Sequence, residues 1–151
     1  MRSCDNRRGV DTSVMSSPSA SVNEKPLLSA ARLMAFVSTS DPARAKTFYR
    51  DTLGLRLLSE DGFAIVFDSN GVTLRVSIAR EVAQAPYTVL GWEVSDIAAK
   101  VKELGQAGVK FERYSFPGQD EMGIWTAPGG AARVAWFKDP DGNVLSISQH
   151  S

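Results

Sequence analysis

The chain contains the same pattern twice. Residues 68–77, DSNGVTLRVS, align with residues 139–148, DPDGNVLSIS, and each stretch is a polar turn with a central Gly that runs into a strand-like segment. Upstream of each copy, an apolar stretch ends at an Asp, in residues 34–41 and again in residues 89–96. An internal repeat requires each half to build the same supersecondary unit, so it constrains the fold more than any single motif does.

Composition places the chain among ordinary globular proteins. It has 151 residues, of which 43% are hydrophobic and 23% charged, and this suffices for one domain with a core. The formal net charge is zero, which gives no support for a nucleic acid or an anionic membrane as partner. No apolar run approaches the roughly 20 residues of a membrane span. Cys4 is the single cysteine, so no internal disulfide forms and the expected location is the reducing cytoplasm.

Residues 1–30 differ from the rest of the chain. They are rich in Ser, Asn and Arg, with scattered single apolar residues, and this composition predicts a disordered N-terminal extension. They do not carry the apolar core of about 7–15 residues that a signal peptide needs. The foldable domain is therefore predicted at residues 31–150.

Module one is predicted at about residues 31–82. A strand at 33–39 leads to Asp41, a helix N-cap that is followed by a Pro in the first turn. Apolar residues then recur at helical spacing until Gly54, which ends the helix. Three strands follow, and the polar turn joins the last two as a hairpin; they are predicted at roughly 55–59, 63–68 and 72–79.

Module two, at about residues 86–150, repeats this order. A strand at 88–95 leads to a helix that Asp96 caps and Gly108 ends. The remaining strands are predicted near 110–114, 124–127, 132–138 and 144–149. Each half is thus assigned the pattern βαβββ, and the fold class is α+β.

Three stretches give this chain a resemblance to the vicinal oxygen chelate superfamily, the glyoxalase, bleomycin-resistance and extradiol-dioxygenase group. They are the F-Y…L-G helix of residues 41–54, the second helix of residues 96–108, and the F-K-D-P-D-G-N hairpin of residues 137–143. The resemblance spans about residues 33–149. It implies two modules, each a curved mixed sheet with one main helix, paired around a ligand cavity. It also implies that two chains associate as a homodimer.

Superfamily members that use a metal take ligands, usually His, Gln or Glu, from four inward positions on the first and last strands of the two modules. The repeat places these positions at Met34 and Arg75 in module one and at Val89 and Ser146 in module two. Such side chains do not suit a divalent ion, and the Arg guanidinium has no lone pair to donate. The single histidine, His150, is predicted to be a solvated tail residue. The expectation is no metal and no other cofactor, unless these positions are assigned wrongly.

Strand alternation predicts which side chains face the cavity, and it places Trp92 on the opposite face, under the second helix. The resulting ligand-binding candidates are Met34, Phe36, Arg75, Val89, Glu93, Ser146 and Trp125. Arg75 could hold a carboxylate or phosphate, and Glu93 could act as a base or bind an amine. Alternatively, these two residues pair with each other or lie at a solvated rim.

The connection from Tyr114 to Trp125 is rich in aromatic residues and Gly. It is predicted to be either a cavity wall or a packing loop. Trp125 and Trp136 lie on predicted strands, where they either stack on a planar ligand or pack in the core.

Three functions remain open. The first is a metal-independent protein that binds a small molecule and sequesters it, as the resemblance to bleomycin-resistance proteins implies. The alternative is an enzyme, a glyoxalase-like lyase or isomerase or a dioxygenase with an atypical or absent metal site, with Glu93 as the candidate catalytic residue. The third is a structural protein whose cavity has collapsed.

Overall fold

The computed structural model describes residues 25–151. The predicted extension, residues 1–30, therefore lies mostly outside the described residues. Residues 25–32 belong to a first unit and form short turns in which Leu27 and Leu28 are exposed. Residues 33–151 form the second unit, which carries both predicted modules. Among residues 25–151, no helix is long and apolar enough to cross a membrane.

Module one has the predicted βαβββ order. Its strands form one sheet in the order β1-β4-β3-β2, with β1 parallel to β4 and the other pairs antiparallel. The elements are β1 (Met34–Thr39), α1 (Pro42–Lys46), a π-helical segment (Thr47–Thr52), β2 (Arg56–Glu60), β3 (Ala64–Ser69) and β4 (Val72–Ile78).

The first helix widens before it ends. Asp41 caps α1 with its side chain, as predicted, but residues 47–52 form a π-helical turn that closes with a hydrogen bond from the Leu53 N–H to the Phe48 carbonyl (2.9 Å). Because this turn is wider than an α-helical one, the consecutive side chains of Phe48 and Tyr49 both point toward the interior. Their rings meet there edge to face. Gly54, with φ +76°, then ends the helix as predicted.

Module two repeats the sheet order, as β5-β8-β7-β6 with β5 parallel to β8. Its elements are β5 (Leu90–Glu93), α2 (Ile97–Gln106), β6 (Trp125–Thr126), β7 (Ala132–Lys138) and β8 (Val144–His150). His150 is therefore the last residue of a paired strand and lies opposite Ala132, although its side chain is exposed.

The predicted strand at residues 110–114 is wrong. Only Phe111 pairs with β7, in a single bridge to Phe137, and the chain then leaves the sheet until Trp125 pairs with Val134. The edge strand of module two is thus interrupted by residues 112–124, which form a loop. The apolar residues that suggested a strand pack instead against neighbouring aromatic rings.

The two modules match in register. Phe36 lies opposite Arg75 in module one, and Gly91 lies opposite Ser146 at the equivalent place in module two. The alternate residues of these strands face the helices and form one core; they include Val37, Phe67, Leu74, Val76, Ala135, Phe137, Leu145 and Ile147. The other face of each sheet, called here its open face, carries the predicted cavity residues.

The hairpin of residues 139–143 fastens module two to module one. The Tyr49 hydroxyl donates to Asp139 Oδ2 (2.7 Å), and the Asn143 side-chain amide donates to the same oxygen (2.8 Å). Asp141 Oδ1 accepts hydrogen bonds from the backbone and the hydroxyl of Ser40 (2.8 and 2.9 Å). Tyr49 and Asp139 are almost completely buried, so the shared motifs of the repeat also form the joint between its halves.

Candidate functional site

Three of the predicted ligand-binding residues share the open face of module one. Met34 and Phe36 are 45% and 59% exposed, and Arg75 lies opposite Phe36. Arg75 lies close enough to Asp61 to affect its carboxyl group. The pKa of Asp61 is lower than usual, mainly because the backbone N–H groups of residues 63 and 64 donate to it and to a lesser degree because of the Arg75 charge. Within residues 25–151, no ion pair joins Arg75 to Glu93.

The other four predicted residues lie on the open face of module two. Ser146, which is 9% exposed, is the partner of Trp136 on β7, and Trp125 lies on the same face beside it. Val89 is 39% exposed, and Glu93 is exposed at the end of β5. The structure therefore separates the seven candidates into two groups, and among them Trp125 alone lines a concave aromatic surface.

That surface is a cluster of four aromatic rings, called here the aromatic cluster. Tyr114 and Phe116 are stacked, with centroids 5.5 Å apart and planes at 14°. Phe116 meets Trp125 and Trp136 edge to face, at 86° and 87°, and the two tryptophans are 6.2 Å apart. Trp136 is anchored because its Nε1–H donates to the hydroxyl of Thr88 (3.1 Å). Edge-to-face contacts of this kind stabilise a fixed arrangement of rings.

Two cavities adjoin the aromatic cluster. The larger, called here the aromatic cleft, has a volume of about 710 Å³ and is lined by Phe116, Pro117, Gly118, Trp125, Thr126, Pro128 and Trp136. The smaller, called here the side cavity, has a volume of about 280 Å³ and is lined by Pro86, Tyr87, Thr88, Tyr114, Phe116, Trp136 and Val144. Volumes of about 300–1,000 Å³ are usual for small-molecule sites, so the aromatic cleft has the size of a ligand pocket.

The side chains of Gln119 and Asp120 hold the loop of residues 112–124 in place, and Asp120 Oδ1 accepts hydrogen bonds from the N–H groups of Met122 and Ile124 (2.9 Å each). Gln119 accepts a hydrogen bond from the Tyr114 N–H (2.8 Å) and donates to the carbonyls of Glu112 (2.8 Å) and Gly123 (2.9 Å). Arg113 adds a hydrogen bond to the Asp120 carbonyl (2.7 Å). Because these bonds close the loop on itself, the aromatic residues that it carries are positioned before any ligand arrives.

A third cavity lies between the modules on the helix side of the sheets. It has a volume of about 210 Å³, and its lining includes Leu53, Leu55, Leu104, Trp92 and the predicted catalytic candidate Glu93. Trp92 packs against the core, and its Nε1–H donates to the hydroxyl of Ser69 (2.9 Å). This tryptophan thus links the two modules. It lies on the opposite face of the module-two sheet from the aromatic cluster.

The positions that would hold a metal do not carry suitable donors. Among Met34, Arg75, Val89 and Ser146, Met offers a soft thioether, Val offers nothing and Arg brings a positive charge. No group of three or more His, Cys, Asp or Glu side chains with metal-binding geometry occurs in the described part of the chain. The donor chemistry of these four positions therefore does not fit a catalytic divalent ion.

The sequence predicted Trp125 to contact a ligand, and the loop from Tyr114 to Trp125 to be either a cavity wall or a packing loop. In the structure Trp125 and Phe116 line the aromatic cleft. The roles of Thr88 and Gln119 were missed, because single polar residues in irregular segments give no periodic signal. Their contribution depends on which backbone groups come within hydrogen-bond distance, and the interrupted edge strand decides this.

Comparison with known proteins agrees with the architecture. The sequence profile of the Glyoxalase/Bleomycin resistance protein/Dioxygenase superfamily matches residues 31–147. A search of curated proteins found no match to the chain.

Solved structures of similar fold include three of 18–23% identity. A glyoxalase/bleomycin resistance protein/dioxygenase from Alicyclobacillus acidocaldarius is 20% identical with a TM-score of 0.57, over 80% of this chain and 92% of that one. An antibiotic-binding protein from Streptomyces sp. CB03234 is 23% identical with a TM-score of 0.55, over 80% and 95%. A lactoylglutathione lyase from Agrobacterium tumefaciens is 18% identical with a TM-score of 0.57, over 80% and 93%.

At these identities the likeness concerns the fold alone. The profile match covers most of the chain, and the chain therefore belongs to the glyoxalase/bleomycin resistance protein/dioxygenase superfamily.

Proposed function

We propose that this protein reversibly binds a planar small molecule in the aromatic cleft, without a metal ion and without transforming the ligand. The observation that carries the proposal is the aromatic cleft itself, about 710 Å³ in volume with both Trp125 and Trp136 in its wall. Indole rings that line a concave surface offer a stacking face to a flat ligand, and such contacts contribute about 0.5–1.5 kcal/mol each beyond the burial of apolar area.

Metal independence is supported by the donor chemistry of the site. The guanidinium of Arg75 would repel a cation at one of the four superfamily positions, and Val89 supplies no donor at another. Elemental analysis of protein purified without a histidine tag or chelator tests this point. We expect no stoichiometric metal and no rise in melting temperature with Mn, Fe, Ni or Zn salts. About one tightly bound ion per chain would contradict it and favour a glyoxalase-like enzyme.

Binding is tested with acridine, a planar tricyclic probe. Acridine should quench the tryptophan fluorescence and raise the melting temperature at saturating concentration, because a ligand that binds only the folded state stabilises it. Trp136→Phe should weaken binding about tenfold, since it removes stacking area and the hydrogen bond to Thr88.

Trp92→Phe is the matched control, because Trp92 lies on the helix side of the sheet and lines a different cavity. Its dissociation constant for acridine should stay within twofold of that of the unchanged protein. Loss of binding in both variants to the same degree would indicate damage to the fold rather than loss of a stacking surface. Absence of any quenching or stabilisation by acridine and related flat molecules would refute the proposed function.

We also propose that the open face of module one is covered by a second copy of this chain. Met34 and Phe36 expose 45% and 59% of their surface there, and adjacent exposed apolar side chains are typical of an interaction surface. Light scattering coupled to size-exclusion chromatography should give twice the chain mass of 16.3 kDa, and Phe36→Glu should shift the protein to the monomer. A monomeric unchanged protein at micromolar concentration would contradict this assignment.

A further inference from the structure

We propose that Phe116 determines ligand specificity, because it separates the aromatic cleft from the side cavity. It would thereby admit flat ring systems and exclude ligands that carry a second ring out of the plane of the first. This inference rests on the proposed function, since it concerns how the same aromatic site selects its ligand.

The two cavities have a common wall. Phe116 and Trp136 are the residues that line both of them, and their rings touch edge to face with centroids 5.9 Å apart. If either ring were removed, the aromatic cleft would open into the side cavity. The combined space would approach the upper end of the range that small-molecule sites occupy.

Phe116 is the half of this wall that lies on the loop and not in the sheet. Trp136 is fixed in the middle of β7 by pairing with Ser146 and by its hydrogen bond to Thr88. Phe116 lies on the loop of residues 112–124, is 40% exposed and does not belong to the core. Because its ring is partly exposed where it lines both cavities, Phe116 is placed to contact whatever enters them.

The loop holds this partition firmly. Gln119 bonds to three backbone groups of the loop, and Gly118, at φ +95°, brings the backbone against the Trp125 ring. A Cβ at Gly118 would lie 3.1 Å from Trp125 Cδ1. Only Gly therefore lets the backbone lie this close to the indole ring without displacing it. Phe116 lies two residues before Gly118 in the chain. The wall is therefore preorganised and is not formed by the ligand.

The ring geometry specifies what the partition excludes. The Phe116 ring is perpendicular to both indole rings, so a flat ligand stacked on either indole would meet Phe116 at right angles. A substituent ring that is perpendicular to the ligand plane and points toward the side cavity would need the space that the Phe116 ring occupies. Removal of that ring should leave a cavity of matching shape and orientation.

A matched pair of probes tests the inference. Acridine is flat, and 9-phenylacridine is the same tricycle with a phenyl group that its neighbouring hydrogens force out of the plane. Dissociation constants for both are measured by titration of the probe fluorescence in the unchanged protein, in Phe116→Ala and in Phe116→Leu. The unchanged protein should prefer acridine at least fivefold. Phe116→Ala should shift the affinity ratio at least tenfold toward 9-phenylacridine, and Phe116→Leu should shift it less.

Phe63→Ala is the control, because Phe63 is 76% exposed and lines neither cavity; it should leave the affinity ratio unchanged. Melting temperatures of all variants establish that they are folded. Equal changes in affinity for the two probes in Phe116→Ala would overturn the role of Phe116 while leaving the proposed function intact. Failure of the unchanged protein to bind either probe would refute the proposed function and this inference with it.

Discussion

The hydroxyl group of Tyr49 is expected to stabilise the joint between the modules, and Tyr49→Phe removes it with little other change. In the folded protein this hydroxyl donates to Asp139 Oδ2 over 2.7 Å, and the side chains of Tyr49 and Asp139 are 0% and 6% exposed. The carboxylate keeps its other donors, the Asn143 amide and the backbone N–H groups of Asp141 and Asn143. The substitution therefore removes one hydrogen bond to a charged acceptor without leaving that charge unpaired.

The size of the effect follows from the charge and burial of the acceptor. A hydrogen bond to a charged group contributes about 1.5–3 kcal/mol to stability, so Tyr49→Phe should lower the free energy of unfolding by about 2 kcal/mol at pH 7. For a domain of this size that corresponds to a fall in melting temperature of about 4–8 °C.

The same contact predicts a pH dependence of stability. Burial of the phenol, and then the negative charge and hydrogen bond of Asp139, raise the pKa of Tyr49 far above its ordinary value. Above about pH 10 the tyrosine ionises in the unfolded chain but stays neutral in the folded protein. The unfolded state then binds fewer protons than the folded state, so stability falls with rising pH, by about 1.4 kcal/mol at pH 11 from this group. The advantage of the unchanged protein over Tyr49→Phe should shrink from about 2 to about 0.6 kcal/mol.

Urea unfolding at pH 7, 9, 10 and 11 measures both effects. Lysines and other tyrosines titrate equally in the two proteins, so the difference between them isolates Tyr49. Tyr87→Phe is the matched control, because Tyr87 is 67% exposed and should change stability by less than about 0.5 kcal/mol. The reasoning is refuted if Tyr49→Phe is as stable as the unchanged protein at pH 7, or if the difference does not narrow above pH 10.

Three further predictions concern the site and its scaffold. Gln119→Ala should make trypsin cleave after Arg113 several times faster while the melting temperature stays within a few degrees, because the bonds that it loses lie within one loop. Gly91→Ala should cost about 1 kcal/mol, since its Cβ would lie 2.7 Å from Ser146 Oγ, and Ser146→Ala in the same chain should recover most of that loss in urea unfolding. Glu93→Gln should leave the acridine dissociation constant unchanged, because Glu93 lines neither the aromatic cleft nor the side cavity; a tenfold change would return Glu93 to the site.

Much of the scaffold was predictable because its signals are local and occur twice. Asp41 and Asp96 cap the two helices, and Gly54 ends the first of them with a positive φ. Strand pairing also follows the repeat, since the residues opposite Arg75 and Ser146 are equivalent members of it. Capping, turn formation and strand alternation each depend on a few neighbouring residues, so a single sequence contains them.

The features of the fold that the sequence did not predict depend on tertiary contacts. The π-helical turn at residues 47–52 has the residue spacing of an ordinary helix in the sequence, and its widening goes with the burial of Tyr49 against Asp139 on the other module. The strand predicted at residues 110–114 had suitable residue types, but only Phe111 pairs with β7. The side chain of Gln119 bonds to backbone groups of residues 112 and 114 that would otherwise be free to pair with β7. No sequence pattern near residue 119 predicts these bonds.

The site lies where the repeat is broken. In module one the edge of the sheet is the continuous strand β2, whereas in module two the equivalent edge is divided by the loop of residues 112–124. This loop carries Tyr114 and Phe116 over the tryptophans of the sheet and so creates the aromatic cleft. The buried Tyr49–Asp139 hydrogen bond of the joint lies outside this site and should serve stability, whereas the loop that divides the edge of module two should serve binding. Tyr49 and Phe116 should therefore differ in experiment. Tyr49→Phe should lower stability without altering the affinity ratio of the two acridines, whereas Phe116→Ala should alter that ratio.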